Sequence, residues 1–130
     1  MVIHEHLAFK SLLTLDHFVE LLRNALYLNE FEFDYENENN WAWTYDDDHI
    51  SINISKPFEE GKLQEWDSSV PQGCNFGISL MSIDNNFYYD PQKYNDYYVV
   101  NKLIPKYANA VEEIIKSKVY YYRGKHLIAS

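Results

Sequence analysis

The sequence predicts an α+β domain, with one antiparallel sheet of about four to six strands and two helices packed on one of its faces. Three observations predict it. Apolar residues recur at helical spacing through Leu15, Phe18, Val19, Leu22 and Leu26. The period changes to two from Phe31 to Ser55, where aromatic or aliphatic residues alternate with polar ones. Helical spacing then returns through Val100, Leu103, Tyr107, Val111 and Ile114. With 130 residues, of which 46% are apolar, the chain reads as a single domain spanning 1–130 with a core of its own.

The elements follow in order. Residues 2–13, "VIHEHLAFKSLL", read as a first strand with Ile3, Leu7 and Phe9 on one face, or else as an early helix. Thr14 or Asp16 can cap the helix that follows, since either side chain accepts a bond from an orphan amide. Phe31, Phe33 and Tyr35 then share one face of a strand, and Glu32, Asp34 and Glu36 share the other. "ENENN" reads as a turn, "WAWTY" as a second strand, "DDDH" as a second turn, and Ile50, Ile52 and Ile54 as the buried side of a third strand that Pro57 stops. This is an antiparallel meander with one buried face and one wet one.

Residues 58–73 hold Gly, Pro and paired serines and read as irregular. "CNFGISLMSI" is a fourth strand with Cys74, Phe76, Ile78 and Leu80 in step, and "FYY" at 87–89 a short fifth. The second helix starts at Asn95 or Asp96. Pro105 lies inside its pattern, so it kinks the helix or opens a second helical piece. Val119–Tyr122 reads as a last strand, followed by a turn at Arg123-Gly124-Lys125.

Charge sorts the possible partners. The net charge is −9, and residues 1–60 hold three Lys or Arg against thirteen Asp or Glu. The excess concentrates between Glu30 and Asp48. Such a field repels nucleic acid and anionic membrane and attracts basic proteins or cations. A lone cysteine, no basic-then-apolar leader and no long apolar run give the expectation of a cytoplasmic protein.

The acidic ribbon has two readings. One is a solvated sheet face with acidic turns. The other is a docking surface, because like charges set opposite each other across strands cost stability that a cationic partner restores. Trp41 and Trp43 sit two apart and so point to one side of a strand, either into the core or into an interface. Trp66 falls in the irregular segment, where a core role is less secure, and five tyrosines cluster at Tyr88, Tyr89, Tyr94, Tyr97 and Tyr98.

Catalytic and metal constellations are incomplete. His4 and His6 project from one side of a strand, and Asp46–Asp48 with His49 offer oxygen and nitrogen, yet neither group completes a ligand set. "DYENENN" has the alternate acids of a calcium loop but puts Asn39 where glycine belongs and Tyr45 where the bidentate glutamate belongs. Cys74, in phase with Phe76 and Ile78, reads as a buried and inert thiol rather than a nucleophile. No glycine-rich phosphate loop exists, and no cofactor is expected.

In overall plan, with its short length and the acid- and aromatic-rich "FEFDYENENNWAWTYDDD", the chain resembles the small acidic immunity proteins that bacteria make against toxins. The resemblance implies a non-enzymatic inhibitor of a basic toxin such as a nuclease. Apart from the resemblance, the acidic ribbon itself gives the contact of such an inhibitor: Glu32, Asp34, Glu36, Asp46, Asp47 and Asp48 take the place of phosphates, and Trp41, Trp43 or Trp66 anchors the centre. The alternatives are a small enzyme with a His/carboxylate site and a non-catalytic regulatory subunit.

Overall fold

A computed structural model describes residues 4–36, 39–46, 50–82, 96–123 and 126–129. Their elements run β1 (His4–Phe9), α1 (Leu15–Leu26), β2 (Glu32–Glu36), β3 (Asn39–Tyr45), β4 (Ile50–Pro57), α2 (Lys62–Trp66), β5 (Phe76–Ser82), α3 (Asp96–Tyr98), a π-helical turn (Val99–Leu103), α4 (Ile104–Ile115), β6 (Val119–Arg123) and β7 (His126–Ala129). The strands form one sheet in the order β2-β3-β4-β5-β1-β6-β7. Every neighbouring pair is antiparallel. The α+β class and the single antiparallel sheet match the expectation. Among the described residues the strands number seven rather than four to six, because β7 pairs with β6 beyond the last strand expected.

The meander pairs as a hydrophobic alternation requires. Pairing of β2 with β3 reaches Glu36↔Asn39, so both strands run into the predicted turn. β3 pairs with β4 from Tyr45↔Ser51 to Asn39↔Pro57. The N-terminal strand is not an edge: β1 lies between β5 and β6. That position needs a strand with few charges, and Leu7, Ala8 and Phe9 are fully buried there.

One face of the sheet carries the main core. Leu7 and Phe9 of β1, Ile50, Ile52 and Ile54 of β4, Phe76, Ile78 and Leu80 of β5 and Val119 of β6 pack in one cluster with Phe18 and Leu22 of α1 and Tyr107 and Val111 of α4. Three phenylalanines tie the sheet to α1. Their ring centroids lie 5.0 Å apart for Phe9–Phe18 and Phe9–Phe76, and 5.2 Å for Phe18–Phe76. Thr14 caps α1, its hydroxyl accepting from the His17 amide at 3.2 Å. Tyr27 ends the helix in the left-handed region at φ 54°.

Pro105 marks the opening of a second helical piece, one of the two alternatives anticipated. It lacks the N–H that would bond four residues back, and it occupies the first turn of α4. Just before it the helix widens: the Ile104 amide donates to the Val99 carbonyl, five residues away.

Two expectations about 58–75 are corrected. The segment contains a short helix, α2, and the fourth strand begins at Phe76, not Cys74. Gly73 turns the chain at φ 89°, a conformation that L side chains rarely adopt, and so breaks the alternation before the strand starts. Cys74 then packs with Ala8, Leu63, Val70 and Tyr122 in a second, smaller cluster. Those residues lie on the opposite face from Leu7, Ile78 and Tyr121, by strand parity. Helical segments therefore serve both faces of the sheet, in place of two helices on one. Gly77 lies beneath α2, where a Cβ would make ordinary van der Waals contact with a Leu63 methyl at 3.6 Å.

The expected strand at 87–89, the tyrosines Tyr88, Tyr89 and Tyr94, a helix start at Asn95, and Asp47, Asp48 and His49 lie outside the described residues. Among the described residues, no helix is long and apolar enough to cross a membrane.

Candidate protein-binding surface

The second face of the sheet carries Glu32, Asp34, Trp41 and Trp43 of the predicted binding residues, and strand register decides which of them meet. One row across it reads Glu32, Trp43, Asn53, Ser79, His6, Tyr122. The next reads Asp34, Trp41, Ser55, Gly77, Ala8, Tyr120. α2 covers the Ala8 end of these rows through Leu63 and leaves the β2–β3 end open. Trp41 and Trp43 are half-buried, with ring centroids 6.0 Å apart and planes at 31°. Neither belongs to the main core cluster.

Glu32 and Asp34 are exposed, each directly opposite one of these tryptophans. Glu36 closes the ladder against Asn39. Glu32 and Asp34 thus share one end of one face with the two indoles, features that the sequence offers separately. The physical reason is parity: residues paired across an antiparallel ladder point the same way. Trp66 ends α2, on the same side of the sheet, and is 51% exposed.

Asp46 does not join this surface, which corrects its assignment as a binding residue. It is buried at 7% exposure. Its Oδ1 accepts from the Ile50 amide at 2.9 Å, and its Oδ2 accepts from the Tyr107 hydroxyl at 3.0 Å. Its own amide donates to the Ile50 carbonyl at 2.9 Å. The side chain brackets the β3–β4 turn and ties it to α4. Position 46 shares strand parity with the buried Ala42 and Thr44, so it falls on the core face, opposite the tryptophans.

Glu5 is a second buried carboxylate, at 2% exposure, accepting from the Tyr121 hydroxyl at 3.0 Å. The sequence reading missed it. The signal was its phase: residue 5 alternates in step with Leu7 and Phe9.

His4 and His6 do project together from β1, with ring centroids 4.6 Å apart. His6 stacks on Tyr122 at 5.1 Å and 14°. Burial and the neighbouring His4 lower the His6 pKa, and Asp67 works the other way. Tyr122 is pushed up to about 12 by burial, then by Asp67 and Cys74. Among the described residues, no three His, Cys, Asp or Glu gather to hold a metal ion. Burial raises the Cys74 thiol, keeping it protonated at neutral pH.

The loop around Cys74 is held by Gln64, whose Nε2 donates to the Pro71 carbonyl at 2.8 Å and the Cys74 carbonyl at 3.1 Å. A cavity of about 300 Å³ lies beside it, lined by Lys10, Glu60, Gln64 and Asn75 among others. Asn75 is engaged on both sides: its Oδ1 accepts from the Ser11 amide and its Nδ2 donates to the Ser11 carbonyl. These contacts fasten the loop to the end of β1.

What this arrangement can do is present exposed carboxylates and half-buried indoles together on one face of the sheet. Comparison of the chain with protein-family models, with curated proteins and with solved structures finds no match.

Proposed function

We propose that this is a binding protein that neutralises a basic partner in the cytoplasm, as an immunity protein neutralises a bacterial toxin such as a nuclease. The observation that supports the reading is the register of β2 against β3, which sets Glu32 beside Trp43 and Asp34 beside Trp41. Carboxylates steer a cationic partner into contact and select against anionic ones. Tryptophan supplies the desolvated anchor that dominates many interfaces. A nuclease has a site built for phosphates, and two carboxylates on a rigid strand can occupy it.

The test is rescue. A basic toxin is expected from the neighbouring reading frame; that protein is expressed with and without this chain, and cell survival is scored. Survival is expected with the native chain and is lost with the Glu32→Lys, Asp34→Lys double variant. Affinity is expected to fall steeply as salt rises. An affinity insensitive both to salt and to charge reversal overturns the reading.

A further inference from the structure

We propose that β2 receives the basic partner as an added strand: an extended segment of alternating basic and apolar residues pairs along the outer edge of Glu32–Glu36. This rests on the function proposed above and supplies its mode of docking. Among the described residues, no strand pairs with the outer edge of β2. The ladder to β3 uses one side of the strand, and alternate N–H and C=O groups point to the other.

The two faces flanking that edge differ in chemistry. On one, Glu32 and Asp34 are exposed beside the tryptophans. On the other, Phe33 is 49% exposed. It borders a groove of about 320 Å³ between α1 and β2, to which Val19, Glu20, Arg23 and Phe31 also contribute. A pleated strand laid along this edge puts successive side chains on opposite faces. Basic ones meet Glu32 and Asp34, and apolar ones lie over Phe33.

Charge complementarity selects this occupant over a second copy of the chain. Two β2 strands pairing with each other would set acids against acids across the new ladder, which is destabilising. Acidic residues on an edge strand also guard against self-association, so one feature repels like chains and admits a basic segment.

The experiment titrates the full ¹⁵N-labelled chain with a short synthetic peptide of alternating lysine and valine. The peptide is expected to raise exchange protection of alternate β2 amides about tenfold or more and to leave β7 unchanged. Methylating the peptide's amide nitrogens removes its ladder donors and keeps its charge. Affinity should then drop at least about tenfold, since two or three backbone bonds are lost.

Equal binding of the methylated and plain peptides overturns strand addition while leaving the acidic docking surface standing. So does a basic partner that binds with steep salt dependence yet leaves β2 amides unprotected. A glutamate–valine peptide that binds as tightly as the lysine one overturns both proposals. Dimerisation of the chain through β2 without peptide makes a second copy the occupant and overturns the basic segment.

Discussion

The two faces of this sheet are built from adjacent residues and behave as different materials. Leu7, Ile52 and Ile78 point into a dry core, while their neighbours His6, Asn53 and Ser79 form a row that stays half-exposed. Shape and burial dominate on the first face, so its residues carry the fold. Polar groups and indoles dominate on the second, and α2 covers only its β1–β6 end. The comparison teaches that a residue's strand parity, more than its type, decides whether it serves the core or faces outward here. Asp46 and Asp34 are both acids in the same meander. One lies on the core face and braces a turn, and the other lies on the open face beside Trp41.

Substitutions can break this comparison or sharpen it. Phe18→Ala on the core face removes one ring of the phenylalanine triad and should cost about 3–5 kcal/mol in chemical denaturation. Tyr107→Phe deletes a hydroxyl bonded to buried Asp46 and should cost about 1.5–3 kcal/mol, with an unchanged denaturant slope. On the open face the pattern should invert. Trp41→Ala should destabilise the fold less than Phe18→Ala but weaken partner binding by about 2 kcal/mol or more, measured by calorimetry. An equal stability loss at Trp41 and Phe18 would erase the distinction between the faces.

Charge reversal gives a smaller effect on the fold. Glu32→Lys with Asp34→Lys should change stability by no more than about 0.5 kcal/mol per site, because both side chains are exposed. Binding to a basic partner should nevertheless fall sharply. The smallest effect belongs to pH. His6 titrates below its ordinary value of 6.5 in the folded chain, so protonation favours the unfolded one. Its contribution is intact above pH 6.5 and is lost as pH falls toward the lowered value. His6→Gln should flatten that part of the stability–pH curve, read by thermal melts across the window.

Much of the architecture was legible in the chain. The helix at 15–26 announced itself through its apolar spacing and Thr14 cap, and the meander through its period of two. Pro105 marked the break in the last helix. What misled was local pattern without context. Cys74 looked in step with Phe76, but two residues of apparent phase cannot reveal that Gly73 turns the chain just before them. The run Asp46–Asp48 looked like one acidic turn. Asp46 proved to be a buried acceptor, because the hydroxyl that satisfies it lies 61 residues away on α4. Glu5 escaped notice for the same reason: Tyr121, its donor, is 116 residues distant.

By itself the sequence determined the α+β class, the alternation that gives each strand a wet and a dry side, and the concentration of acid in the first half. Local propensity, side-chain parity and charge are properties of neighbouring residues, so they can be read in order along the chain. Only the tertiary structure decided that β1 runs mid-sheet, that β2 ends the strand order among the described residues, and that Trp41 and Trp43 stand beside Asp34 and Glu32 rather than in the core. Those outcomes depend on long-range pairing and register, where a shift of one residue would turn every side chain to the opposite face.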